Sequence, residues 1–140
     1  MPFREKTAWI SLGSFVLVYG IYFWRVIDFG LAGEKGTFGF TPPLIGSVIA
    51  LIIVQIVLNA VAAARAPKDA TAPIDEREKE FALKASRNAF NATSAMLFIG
   101  CMAAGFGLPP FFVANGLFFV LVMGEVVRAA SQIAYYRMGA

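Results

Sequence analysis

The sequence predicts an all-α integral membrane protein, a four-helix bundle of two antiparallel helical hairpins with the N and C termini both cytoplasmic. Three observations predict it. First, charge is absent over long runs: Thr7 to Trp24, Gly36 to Ala64 and Asn88 to Gly124 hold no Asp, Glu, Lys or Arg. A soluble element needs a wet face, and runs of this length have none, so their natural solvent is lipid. Second, glycine and proline cut the apolar runs into lengths of about 20 residues, the number that crosses a hydrocarbon core. Third, lysine and arginine are lopsided. With four spans, Arg4, Lys6, Arg65, Lys68, Arg77, Lys79, Lys84, Arg87, Arg128 and Arg137 fall on one side, and Arg25 and Lys35 on the other. The basic side is the cytoplasmic side.

The first span is expected over residues 8–29, with Trp9 at one interface and Tyr22 and Trp24 near the other. It is too long for a signal peptide, lacks a small-residue cleavage site, and is expected to stay in the mature chain. Gly30, Gly33, Gly36 and Gly39 disfavour a helix and predict a short outer loop to Thr41. Pro42 and Pro43 open the second span, expected over 42–64, since proline suits a first helical turn.

A polar connector follows, holding Pro67 and Pro73. From Asp75 the acids Glu76, Glu78 and Glu80 come early and the bases Lys84 and Arg87 late, which complements a helix dipole. Glu80 and Lys84 form an i,i+4 pair in the favoured order. Nothing breaks this stretch before the next apolar run, so one helix is expected over 75–106, wet at its start and lipid-buried at its end. The uncharged run Asn88–Gly124 has 37 residues. As one helix it would be about 55 Å long, more than a bilayer needs. Gly105, Gly107, Pro109 and Pro110 therefore mark a tight turn, and the fourth span is expected over 111–136. Gly39-Phe40-Thr41-Pro42-Pro43-Leu44 and Gly107-Leu108-Pro109-Pro110-Phe111 are alike, as a duplicated hairpin would make them.

Composition removes most site chemistry. With no histidine and one cysteine, metal clusters of His and Cys, serine and cysteine triads and an intrachain disulfide are excluded. Cys101, among small and apolar residues, is expected to pack. The loop between Arg65 and Arg87 holds six basic and five acidic residues, too balanced for a nucleic-acid tail. No phosphate-binding glycine loop is present, no cofactor is identifiable, and only a groove between helices leaves room for a lipid, quinone or pigment.

The candidate site is a polar cluster, because amide and ionic side chains inside a membrane are costly. Gln55 and Asn59 share a face of span two, Arg87, Asn91 and Ser94 of span three, and Glu125, Arg128 and Gln132 of span four. All are expected near the cytoplasmic end, with Glu125 paired to Arg128 or Arg87. Such a cluster is either hydrogen-bonded glue between helices or a relay centred on Glu125. Arg25 and Asp28 are expected to pair locally. Small residues at Gly100 and Ala104, and at Ala103 and Gly107, allow close helix approach.

Ala66-Pro67-Lys68-Asp69, Pro73-Ile74-Asp75-Glu76-Arg77-Glu78, Arg87-Asn88-Ala89-Phe90-Asn91 and Tyr135-Tyr136-Arg137 resemble a family of small bacterial four-helix inner-membrane proteins of unknown function. The resemblance spans most of the chain and is most specific in the Asp-Glu-Arg-Glu stretch. Phe90 and Asn91 depart from it, standing where that family commonly has a tyrosine pair. It implies a multi-pass protein of the bacterial inner membrane and supplies no catalytic residues.

Three functions fit. The favoured one is a non-enzymatic accessory subunit of a larger membrane complex, partnered by lipids and by other subunits or itself. The second is a small homo-oligomeric transporter or channel using Glu125 with Gln55 and Asn59. The third is a lipid- or quinone-binding membrane protein.

Overall fold

A computed structural model describes residues 3–31 and 41–139. Within them the chain is all helical: α1 Phe3–Leu31, α2 Thr41–Arg65, the single turn α3 Pro67–Ala70, α4 Glu76–Gly105 and α5 Pro110–Met138. Three helices, Phe3–Gly30, Pro42–Arg65 and Pro110–Met138, are long and apolar enough to cross a membrane. α4 is not among them. Its first half is charged, and Asn88, Asn91, Thr93 and Ser94 dilute the apolar half. The expected outer loop, and with it the Gly39 arm of the apparent duplication, lies mostly outside the described residues.

The ends of the helices follow from local chemistry. α1 begins five residues before the expected span because Arg4, Glu5 and Lys6 are helical too. Glu5 sits in the first turn, where a carboxylate suits the dipole, and the Thr7 hydroxyl donates back to the Arg4 carbonyl at 2.9 Å. Proline heads the single turn α3, which lies within the expected polar connector. Between α4 and α5, Gly107 takes a positive φ of 84°, and Pro110 then starts α5. α5 stops at Gly139, whose φ of 65° is left-handed and whose N–H reaches the Tyr135 carbonyl.

The two expected hairpins are present: α1 packs on α2, and α4 on α5. They are joined through α1 and α5, giving the spatial order α2, α1, α5, α4. A direct α2–α4 contact, which would close a bundle, is at most marginal. The reason lies in α5. Phe111, Asn115 and Val122 face α1, while Gly124 abuts Thr93 and Tyr135 stacks on Phe81 of α4. Val122 and Gly124 are two residues apart, about 200° around a helix, so α1 and α4 flank opposite sides of α5.

The main core lies where α1 meets α5 and α2. Tyr19, Tyr22, Val26, Leu51, Phe111 and Val122 are buried there. Phe118 stands edge-on to Tyr19 and Tyr22, with ring centroids 5.3 and 5.6 Å apart. The Tyr22 hydroxyl donates to Asn115 Oδ1 at 2.8 Å, and Asn115 Nδ2 donates to the Phe111 carbonyl at 2.9 Å. In lipid such packing and interhelical bonding hold helices together, since tails are as apolar as leucine.

One end of the molecule gathers charge. Arg4 pairs with Glu78 at 3.0 Å and Arg137 with Glu5 at 3.7 Å, tying α1 to α4 and to α5. Arg77 donates to the Gly139 carbonyl. The first turns of α1 and α4 and the last turn of α5 therefore share one end.

Candidate functional site

On α2, Asn59 Nδ2 donates to the Gln55 carbonyl at 2.8 Å and to Gln55 Oε1 at 3.2 Å. The Ser11 hydroxyl of α1 donates to the same Oε1 at 3.3 Å. The Gln55 amide thus bridges the first hairpin. Ser11 and Ser14 both stand in the apolar part of α1, and nothing in a serine signals which of the two faces α2.

On α4, the expected polar face does not point inward. Phe81, Ala85 and Ala89 are buried against α5, and Arg87, about 200° from Ala85, is exposed on the far side together with Asn91 and Ser94. Among the described residues none of these three makes a hydrogen bond or ion pair with a side chain of another helix. The neighbouring Asn88 takes the inward role, donating to the Tyr135 hydroxyl at 2.8 Å and the Ser131 hydroxyl at 3.4 Å.

On α5, Arg128 holds Glu125 in a local pair, with Nη2 2.6 Å and Nε 2.8 Å from Glu125 Oε2. Both side chains are nearly half exposed. The i,i+3 spacing explains the pair without any second helix. Gln55 with Asn59, Arg87 with Asn91, and Glu125 with Arg128 therefore sit on three different helices, and no hydrogen bond or ion pair joins one group to another among the described residues. Sequence spacing brought each group together on its own helix. It held no information on how the helices turn toward one another.

Other expectations changed as well. Arg25 and Asp28 are both exposed, and among the described residues no ion pair joins them. Cys101 is exposed on α4 rather than packed. Asn115 is the most buried amide among the described residues, and its signal in the sequence is that it is the one amide side chain between Asn91 and Gln132. At the charged end the buried Tyr136 hydroxyl stands near Glu78, Arg4 and Glu5. No group of three metal-ligating side chains exists among the described residues.

Two open grooves run between α1 and α2. The larger, of about 520 Å³, lies at the charged end and is lined by Lys6, Trp9, Ile10, Leu58, Val61 and Arg65 among others. The smaller, of about 360 Å³, lies toward the opposite end, beside Tyr22, Arg25 and Pro43. Neither encloses Gln55 or Glu125.

Together these features define a multi-helical protein with three membrane-competent helices and polar side chains that bond both within and between helices. No protein family, curated protein or solved structure matches the chain.

Proposed function

We propose that this protein is a non-enzymatic accessory subunit of a larger bacterial inner-membrane complex, with α4 as a fourth span and both termini cytoplasmic. The observation that supports this is the outer face of α4. Arg87, Asn91, Ser94, Phe98, Cys101 and Gly105 are all exposed. Their spacing of 4, 3, 4, 3 and 4 residues is a helix-packing seam. Its polar and small residues are those that join helices inside a bilayer, where an amide facing lipid is left without a partner. A transmembrane helix of another subunit supplies that partner. The resemblance to small bacterial four-helix membrane proteins agrees with this setting.

The test is purification of the tagged chain from its native membrane in a gentle detergent, followed by mass analysis. Larger membrane subunits are expected in fixed stoichiometry, and the double variant Asn91→Leu/Ser94→Leu is expected to lose them while staying folded. Recovery of the chain alone from the wild type would overturn the reading. A homo-oligomer would favour a second reading, a transporter using Glu125, whose carboxylate is the one acid within the span of α5.

A further inference from the structure

We propose that the larger groove between α1 and α2 binds the headgroup of an anionic phospholipid, Lys6 and Arg65 holding its phosphate. The inference rests on the membrane reading and is independent of any partner subunit. Four observations carry it.

The groove has two cations and no acid in its lining. Lys6 enters from the first turns of α1 and Arg65 from the last turn of α2. Glu5 precedes Lys6 in the chain but turns about 100° away, toward Arg137 of α5. The acid that would neutralise Lys6 thus faces a different helix.

Arg4, Lys79, Lys84, Arg128 and Arg137 each have a carboxylate within 4 Å. Among the described residues Lys6 and Arg65 have none, and neither do Arg25, Arg77 and Arg87; what sets Lys6 and Arg65 apart is that both line this one groove. Arg65 also suits the negative end of the α2 dipole, which explains an arginine there without a ligand. That explanation does not reach Lys6, which lies at the positive end of α1, and the two opposed dipole ends leave the side chains to set the field.

The rest of the wall is apolar. Ile10, Leu58 and Val61 continue the groove away from the cations and along the spans. A phosphodiester at the mouth and an acyl chain along this wall match the two halves of the groove in order. Trp9 lines it as well, its ring covered by the Arg137 guanidinium 5.2 Å away. An indole at this level is a membrane-interface residue.

Position completes the case. Ten of the twelve basic residues belong to the proposed cytoplasmic side, and basic pockets between helices on that side suit anionic headgroups. The volume of about 520 Å³ admits a phosphate and glycerol and leaves the chains to the bilayer.

The experiment uses the full chain in detergent. Native mass spectrometry measures retained phosphatidylglycerol against phosphatidylcholine for wild type, for Lys6→Gln/Arg65→Gln and for the control Lys79→Gln. The wild type and the control are expected to prefer phosphatidylglycerol roughly thirtyfold, the order two surface cations supply, and the double variant to lose that preference. Equal retention of both lipids by the wild type, or an unchanged preference in the double variant, would overturn the proposal. Inorganic phosphate at millimolar concentration is expected not to displace the lipid. If it does, the site reads free phosphate and the lipid assignment is wrong. Carbonate extraction of membranes tests the membrane reading separately: a chain released without detergent would sink that reading, whatever the lipid data.

Discussion

α2 and α4 occupy equivalent places, one at each end of the helix row, yet they are built on opposite plans. The outer face of α2 is apolar along its length, with Ile49, Ile53, Ile56 and Val57 all more than half exposed. α4 changes character along its axis, from charged Glu76–Arg87 to apolar Phe98–Gly105, and its outer face keeps Asn91 and Ser94 between these halves. Exposure to lipid costs isoleucine nothing and costs an amide its hydrogen bonds. In our reading one edge is finished by lipid and the other by protein.

The largest expected effects break the edges themselves. A Cβ at Gly124 would run into the Thr93 hydroxyl, which must turn aside for any side chain there. Gly124→Leu is expected to loosen α4 from α5, with a loss of about 1–3 kcal/mol, as for overpacked cores. Thermal unfolding in detergent checks it, and an unchanged melting temperature would remove Gly124 from the interface. Ile53→Lys, midway along α2, is expected to raise the cost of membrane insertion by about 3 kcal/mol. Glycosylation-mapped insertion reads this out. Arg87→Leu on α4 is expected to insert at least as well as the wild type, and equal penalties on both edges would erase the contrast between them.

A middling effect is expected where the two hairpins join. Asn115→Leu removes the acceptor for Tyr22, and interhelical bonds of this kind average about 0.6 kcal/mol in membranes, with a maximum near 1.7. A destabilisation within that range, with α4–α5 proximity unchanged by cross-linking, would confine Asn115 to the α1–α5 joint. The smallest effect is assigned to Glu125→Gln. A half-exposed local pair contributes about 0–1 kcal/mol, so stability and complex formation should stay near wild type. A loss of vesicle ion flux in that variant would instead revive the transporter reading.

What the sequence made legible follows what it encodes by type rather than by direction. Uncharged runs, the proline pairs and Gly107 located the helices to within a few residues, because lipid solubility and backbone freedom belong to each residue alone. α1 starts five residues before the expected span, since charge marks where a helix leaves lipid and not where it ends. The order of the row was illegible. Phe111 is buried and its neighbour Phe112 exposed, yet nothing in a phenylalanine distinguishes a neighbouring helix from an acyl chain. The candidate cluster failed to converge for the same reason: Arg87 and Asn91 share a face of α4, but which way that face turns depends on Ala85 and Ala89 fitting against α5.

The α1–α5 joint has a consequence for biosynthesis. The first hairpin is complete when Arg65 has been made, but Tyr22 acquires its Asn115 acceptor, and Tyr19 its Phe118 neighbour, only after α5 follows. At ~5–20 residues per second, translation of the intervening chain takes on the order of several seconds. For that interval the nascent α1–α2 pair holds these two tyrosines without their α5 partners, and its core closes when the last helix arrives.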